Sequence, residues 1–225
     1  MVLASASPAR LTLLRAAGVE PTVLVSGVDE QALEAALAAE GRTEPIDVAS
    51  TLAEAKARTV ADLVRGSASL PGADAATVAT VATMATVVIG CDSVLDLDGV
   101  ALGKPVDRED AVRRWHDMRG RSGRLRTGHT VVRLAASSGD DEVVSAVATT
   151  RVWFADLDDA TIEAYVATGE PLRVAGAFTL DGLGAPFVER IDGDPSNVVG
   201  LSLPLLRRLL ADLDIPWASL WAPGR

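Results

Sequence analysis

The chain has 225 residues, 48% apolar and 23% charged, which suits a soluble globular protein long enough to bury a core without staples. Acidic residues outnumber basic ones 31 to 21, a net charge of −10 that disfavours the basic face a nucleic-acid polymer needs but not a small anion held by a few local cations. The single cysteine, Cys91, excludes an internal disulfide and suits a reducing cytoplasm; no apolar run reaches the length of a membrane span, and the N-terminus lacks the features of a signal peptide.

In chain order, residues 1–4 read as a short strand, followed by the small-residue loop Ser5-Ala6-Ser7. Ser7 is a good N-cap, Pro8 suits the first helical position and Gly18 suits the C-terminal end. Strand, serine loop and helix start together present hydroxyls and backbone N–H groups to an anion. Arg10 sits in the first turn, where a cation opposes the helix dipole, so it is mildly unfavourable unless it has another task. Residues 22–26 read as a second strand, 31–39 as a helix ending at Gly41, and 48–64 as an amphipathic helix. The apolar side of that helix is expected to be Val48, Leu52, Ala55, Thr59 and Leu63, with Glu54, Lys56 and Arg58 as solvated charges. The stretch 66–86 is low in complexity and reads as a loop or insertion.

Val87-Val88-Ile89 is a β-branched apolar run, a buried strand that delivers Asp92 where it emerges. The pattern resumes at Val94, turns at Asp98-Gly99 in a type I′ hairpin signal, and returns through 100–102 to Lys104. One hairpin thus carries an acid and a lysine. Residues 107–119 read as a helix capped by Asp107 and stopped by Gly120, with Ala111, Val112, Trp115 and Met118 facing inward. Arg121 to Arg126, RSGRLR, reads as a basic loop and His129 as the start of a strand. Residues 143–157 read as a long strand, and 158–169 as a helix capped by Asp158 or Asp159, with Ile162, Tyr165 and Val166 inside. A glycine-punctuated loop and strand follow; 187–191 is a strand, 193–197 a turn cluster, and the last helix runs through Leu205, Leu206, Leu209 and Leu213. No linker separates independent domains, so 1–225 is read as one domain.

Several familiar chemistries are unsupported. There is no G-x-G-x-x-G after a strand, no P-loop and no G-x-S-x-G, and His116 and His129 lack metal-ligand spacing. What remains is Asp92 on a strand end, Lys104 after a hairpin, the serine loop with Arg10, and the turn acids Glu30 and Asp194. Cations and helix-end N–H groups bind phosphate, whereas carboxylates bind magnesium-type cations or activate water. That is a kit for metal-assisted phosphoanhydride hydrolysis, generic until further residues narrow it.

Those residues are present. S-x-S-P-x-R at 5–10, L-A-x-x-K-A at 52–57, G-C-D-S-V at 90–94 and L-G-K-P at 102–105 occur in the order of the Maf/Ham1-like family. Ser122-Gly123, H-T-V at 129–131, Glu163 with Tyr165, A-G-A-F at 175–178 and G-D-x-x-N-V-V-G-L at 193–201 continue the match. Over nearly its full length the chain resembles a Maf-type nucleoside triphosphate pyrophosphatase. The resemblance implies a mixed α/β (α+β) fold, with a central twisted mixed sheet flanked by helices and a cleft between two lobes. It implies hydrolysis of a nucleoside triphosphate, standard or modified, to the monophosphate and pyrophosphate with a divalent metal, Mg²⁺ or Mn²⁺. By motif, Asp92 would accept the proton of the attacking water. Ser7, Arg10, Lys56 and Lys104 would contact phosphates or shape their pocket, and Ser93 would help select the base. Glu30 and Asp194 are candidates for metal or polar contacts.

The sequence departs from the family segment D-K-A-G-x-Y-x-I-Q-G, reading Arg173-Val174-Ala175-Gly176-Ala177-Phe178-Thr179-Leu180-Asp181-Gly182. Asp181 replaces a glutamine that helps discriminate bases, so a preference for dTTP or UTP does not carry over. Asp181 has three readings: an acceptor for a purine or modified base, a metal contact, or a turn residue before Gly182. A non-catalytic regulator of septum formation and a nucleotide phosphatase are the alternative functions, and a homodimer is left open.

Overall fold

A computed structural model describes residues 1–66, 87–135 and 139–221. The stretch 66–86, read as a loop or insertion, lies outside the described residues apart from Gly66. The strands are β1 (Val2–Leu3), β2 (Thr22–Val23), β3 (Val87–Leu97), β4 (Val100–Leu102), β5 (Ser122–Arg133), β6 (Glu142–Phe154) and β7 (Val188–Asp192). They form one open mixed sheet in the order β2-β1-β3-β5-β6-β7, with β4 also paired to β3. Seven described α-helices flank it: α1 (Pro8–Ala16), α2 (Glu30–Ala39), α3 (Pro45–Val64), α4 (Arg108–Met118), α5 (Asp159–Ala167), α6 (Pro195–Val199) and α7 (Leu203–Asp212).

The long strands β3, β5 and β6 run antiparallel and form the spine. Side chains alternate across the sheet. On one face α3 lies over Val88 and Val132. Gly90 and Gly128 permit that approach: a Cβ at Gly128 would lie 2.2 Å from the Ala49 carbonyl oxygen, and one at Gly90 2.3 Å from that of Ala53. On the other face two apolar cores lie end to end. Ile89, Cys91 and Val131 pack under Leu205, Leu206, Leu209 and Leu210 of α7. Leu95, Leu125 and Val152 pack under Trp115 of α4 and Ile162 and Tyr165 of α5, where Trp115 meets Phe154, Tyr165 and Phe187 edge-on.

Between these cores runs a buried polar seam. His129 is 1% exposed and Asn197 0%. The Ser202 N–H donates to His129 Nε2 at 2.8 Å, so His129 Nδ1 carries the proton and donates to the Thr127 carbonyl at 2.9 Å. Asn197 Nδ2 donates to the Leu125 carbonyl and to Thr150 Oγ1, stitching α6 to the sheet.

Several local expectations need correction. RSGRLR is not a loop; β5 begins at Ser122, because Leu125 is buried between two outward arginines in a period of two. The stretch 22–26 pairs only at Thr22–Val23, and the strand expected from 143 to 157 is Glu142–Phe154. The glycine-rich segment after α5 forms short 3-10 turns at Pro171–Arg173, Ala175–Ala177 and Ala185–Phe187 rather than a loop and strand. The turn cluster at 193–197 contains the start of α6, capped by Asp194. The buried face of α3 is rotated toward Ala53, Lys56, Ala57 and Val60, the side that meets the two glycines, leaving Ala55 and Thr59 partly exposed.

Candidate functional site

β1 and β4 both pair with β3 on the side away from β5, β1 at Val88–Ile89 and β4 at Leu95–Leu97. The stretch 90–94 between them has β5 on one side and, among the described residues, no strand on the other. This gap is the back wall of a cleft of about 940 Å³ whose lining includes the serine loop, α2, Lys56, Asp92, Ser93, Lys104 and residues 173–175. Arg10 closes part of the gap. Its Nη1 donates to the Cys91 carbonyl at 2.8 Å, where a neighbouring strand's N–H would otherwise donate, and to Ser5 Oγ at 3.1 Å. Its Nε donates to the Gly200 carbonyl at 2.7 Å and its Nη2 to Ser93 Oγ at 3.1 Å. Four of its five N–H donors are thereby committed, so the task that offsets its unfavourable helix position is holding the cleft's wall. Ser7 caps α1, accepting from the Arg10 N–H, and Ser93 Oγ also bonds Thr127 Oγ1 at 2.9 Å.

Lys56 was expected in solvent on sequence periodicity; it is 7% exposed. Its ammonium lies 2.5 Å from Asp92 Oδ1 and 2.7 Å from Glu30 Oε1. Burial pushes the Asp92 carboxyl above its ordinary range, against the pull of Lys56 and Arg10. Burial also raises Glu30, but the Lys56 hydrogen bond and the charges of Lys56, Lys104 and Arg10 outweigh it and leave Glu30 low. Glu34, one turn further along α2, is raised by burial and by the charges of Asp92 and Glu30. Thus the site pairs one ionised acid with one whose proton affinity is increased.

Lys104 is exposed in the cleft and has no hydrogen bond or ion pair among the described residues. Its backbone is held nonetheless: the neighbouring Gly103 carbonyl accepts from Gly176 N at 3.0 Å and from Arg114 Nη1 at 2.7 Å. The hairpin is pinned by Asp96, which accepts from the Gly99 N–H and from Arg126. Asp181, in the segment after the 3-10 turn Ala175–Ala177, lines the cleft and is exposed. Asp194 is elsewhere; it caps α6, and both its carboxylate oxygens accept from Ser196.

Sequence reasoning did not single out Glu34, Arg114 or Arg173, all of which line the cleft. Glu34 follows Glu30 at i+4, a spacing that places both on one helical face and was available as a signal. Arg173 showed only as a departure from the family segment, and Arg114 carried no signal, since its contact with the Gly103 carbonyl is set by chain folding. Cys91 is fully buried and burial raises its thiol to about 11, which leaves it inert.

Among the described residues no group of three or more His, Cys, Asp or Glu side chains is placed to hold a metal unaided. The donor set is nonetheless oxygen-rich. Magnesium-type ions are commonly held by one or two carboxylates plus phosphate oxygens and water, and Glu30, with one oxygen not engaged by Lys56, fits that pattern.

An open α/β sheet with a missing-strand cleft, cations on its walls and carboxylates at its back defines a protein built to handle a compact polyanion. The chain belongs to the Maf-like protein family, whose sequence profile matches residues 1–213. It is 55% identical over 224 residues to a Streptomyces coelicolor protein named "Nucleoside triphosphate pyrophosphatase", covering 100% of this chain and 95% of the relative. A Salinispora tropica protein of the same name is 53% identical, covering 100% of this chain and 88% of the relative. A Mycobacterium protein of that name is 51% identical over 221 residues, covering 98% and 97%.

Proposed function

We propose that this enzyme hydrolyses a nucleoside triphosphate to the monophosphate and pyrophosphate, working in the cytoplasm as a single-domain protein on a small-molecule substrate. The observation that carries the reading is the buried Lys56–Asp92 pair at the back of a cleft that also holds an unpaired lysine. Lys56 occupies Asp92 Oδ1 and fixes its orientation, leaving Oδ2 to accept a proton from water. The water oxygen adds to the α-phosphorus, the bond from that phosphorus to the bridging oxygen breaks, and pyrophosphate leaves with the electron pair. Lys104 offsets charge on the departing group, and the serine loop at the start of α1 offers hydroxyls and N–H groups to the phosphates. Glu30, with phosphate oxygens and water, would hold a divalent cation, Mg²⁺ or Mn²⁺, which would supply further neutralisation of phosphate charge.

The test is a nucleotide panel with Mg²⁺ or Mn²⁺, assayed for pyrophosphate and orthophosphate. Equimolar monophosphate and pyrophosphate are expected. Asp92→Asn should lower kcat by about 10²- to 10⁴-fold while leaving nucleotide binding and the melting temperature close to wild type. Orthophosphate as the direct product would mean a phosphatase, no product would favour a regulator, and wild-type rates in the variant would remove Asp92 from its role.

A further inference from the structure

The sheet carries a cluster of arginines that the proposed reaction does not use. Arg124 of β5 stands directly opposite Arg151 of β6, and Ser122 stands opposite Trp153, which faces Arg190 of β7 on its other side. Alternation puts these five side chains on one face of the sheet, where all three arginines are exposed. Like charges directly opposite each other in a ladder cost stability. No carboxylate offsets this pair, since neither Arg124 nor Arg151 has an ion pair among the described residues. The nearby acids are engaged elsewhere: Asp96 pairs with Arg126 and accepts from the Gly99 N–H, and Asp98 pairs with Arg121. Asp192 is opposite Arg151 in the ladder but forms no ion pair with it.

Arg151 is held in place by neutral partners. Its Nε and Nη2 donate to Ser122 Oγ at 3.1 and 2.9 Å, and its Cζ lies 4.7 Å from the Trp153 ring centroid. Arg190 Cζ lies 4.5 Å from the same centroid. The opposed pair opens on a surface pocket of about 400 Å³ whose lining also includes Asp96, Asp98, Arg121 and Ser122, and none of these residues lines the cleft. A chain of net charge −10 thus keeps two uncompensated cations side by side over a polar hollow.

We propose that Arg124 and Arg151 form a second anion site, which takes a phosphoryl group. This site is independent of the nucleotide reading. A guanidinium presents a planar fork of N–H donors that matches an oxyanion, so a bound anion turns the opposed pair from a repulsive contact into a bridge. A carboxylate has two oxygens, enough for one fork. A phosphoryl group has three or more, enough for the Arg124 fork and for Arg151 Nη1, which the Ser122 contact leaves unused. Its charge of nearly two also matches two arginines.

The indole N–H of Trp153 is the reporter, its NMR signal assigned with Trp153→Phe. Inorganic phosphate, glycerol 2-phosphate and acetate are titrated separately into the full chain at constant ionic strength. The signal should shift saturably with the phosphates and not with acetate, and Arg124→Gln should weaken binding about tenfold. In chloride alone Arg124→Gln should melt at or above the wild-type temperature, because it removes a repulsion. Lys104→Ala, which alters the cleft, should leave the titration unchanged. Saturation by either phosphate supports the site, and the tighter of the two names its source, free ion or ester. A shift that never saturates, equal binding of acetate, a titration indifferent to Arg124→Gln or a lower melting temperature in that variant overturns the inference. So does loss of the shift in Lys104→Ala, which would assign the binding to the cleft.

Discussion

Asp92 has given up most of its water and kept one close cation. As the proposed proton acceptor it must be ionised to work, so the acidic limb of kcat/KM is expected to report its pKa in the free enzyme. Burial raises that value above the ordinary 3.8, and the limb is expected correspondingly above the usual aspartate range. Lys56→Met removes the charge that opposes this rise. The limb should then move further up in pH, and unpairing the buried carboxylate should cost on the order of 3 kcal/mol in urea denaturation. Lys104 differs because it is exposed and unpaired. Lys104→Ala should leave the melting temperature unchanged and raise KM for triphosphates about tenfold, an effect that shrinks with added salt. Asp92 was legible in the sequence as a carboxylate at a strand end. The burial of Lys56 was not, because helical periodicity places a charge in solvent and cannot reveal a carboxylate partner 36 residues away.

At the scale of elements, the site depends on how closely α3 approaches the sheet, since α3 carries Lys56 and β3 carries Asp92. That spacing is set by glycines whose missing Cβ atoms leave room for helix backbone. Gly128→Ala would drive a methyl into the Ala49 carbonyl. About 3 kcal/mol of stability should be lost by urea denaturation, and turnover should fall with it as Lys56 is carried away from Asp92. The hairpin was readable, and Asp98 and Gly99 both adopt the positive φ that its turn signal demands. β5 was misread because Arg124 and Arg126 dominate its composition, although their alternation with Leu125 is itself a strand pattern. The segment 171–187 was misread for a different reason. Its shape is fixed by Glu170, a contact no local pattern encodes.

For the whole molecule, the polar seam joins two apolar cores and makes folding sensitive to acid. His129 accepts from a backbone N–H at Nε2, and burial lowers its pKa from 6.5 to about 4. Between those values the unfolded chain binds the proton and the folded one does not. This contribution to stability is therefore complete above pH 6.5 and is lost as pH falls toward 4, amounting to about 3 kcal/mol. Asp92 acts in the opposite sense, since its raised pKa favours the folded state at low pH. Urea midpoints across this window for wild type and His129→Gln isolate the histidine: the variant should be less stable at pH 7 and show a flatter slope. Alternating and helical patterns made the mixed α/β class legible. The strand order was not, because pairing β3 with β5 joins residues such as Val87 and Arg133 that are far apart in sequence.

The gap along β3 has a consequence for solubility. An unpaired strand edge is a template on which another chain can add, and a cleft built from one invites that failure. Here the foreign strand finds little to hold. β1 and β4 pair over only two and three residues at either end, and the Arg10 guanidinium occupies the Cys91 carbonyl from inside. The arginine that shapes the wall of the cleft thus also guards an edge against self-association. Arg10→Ala should show this as concentration-dependent aggregation in light scattering, in addition to lost activity, and substrate bound in the cleft should suppress it.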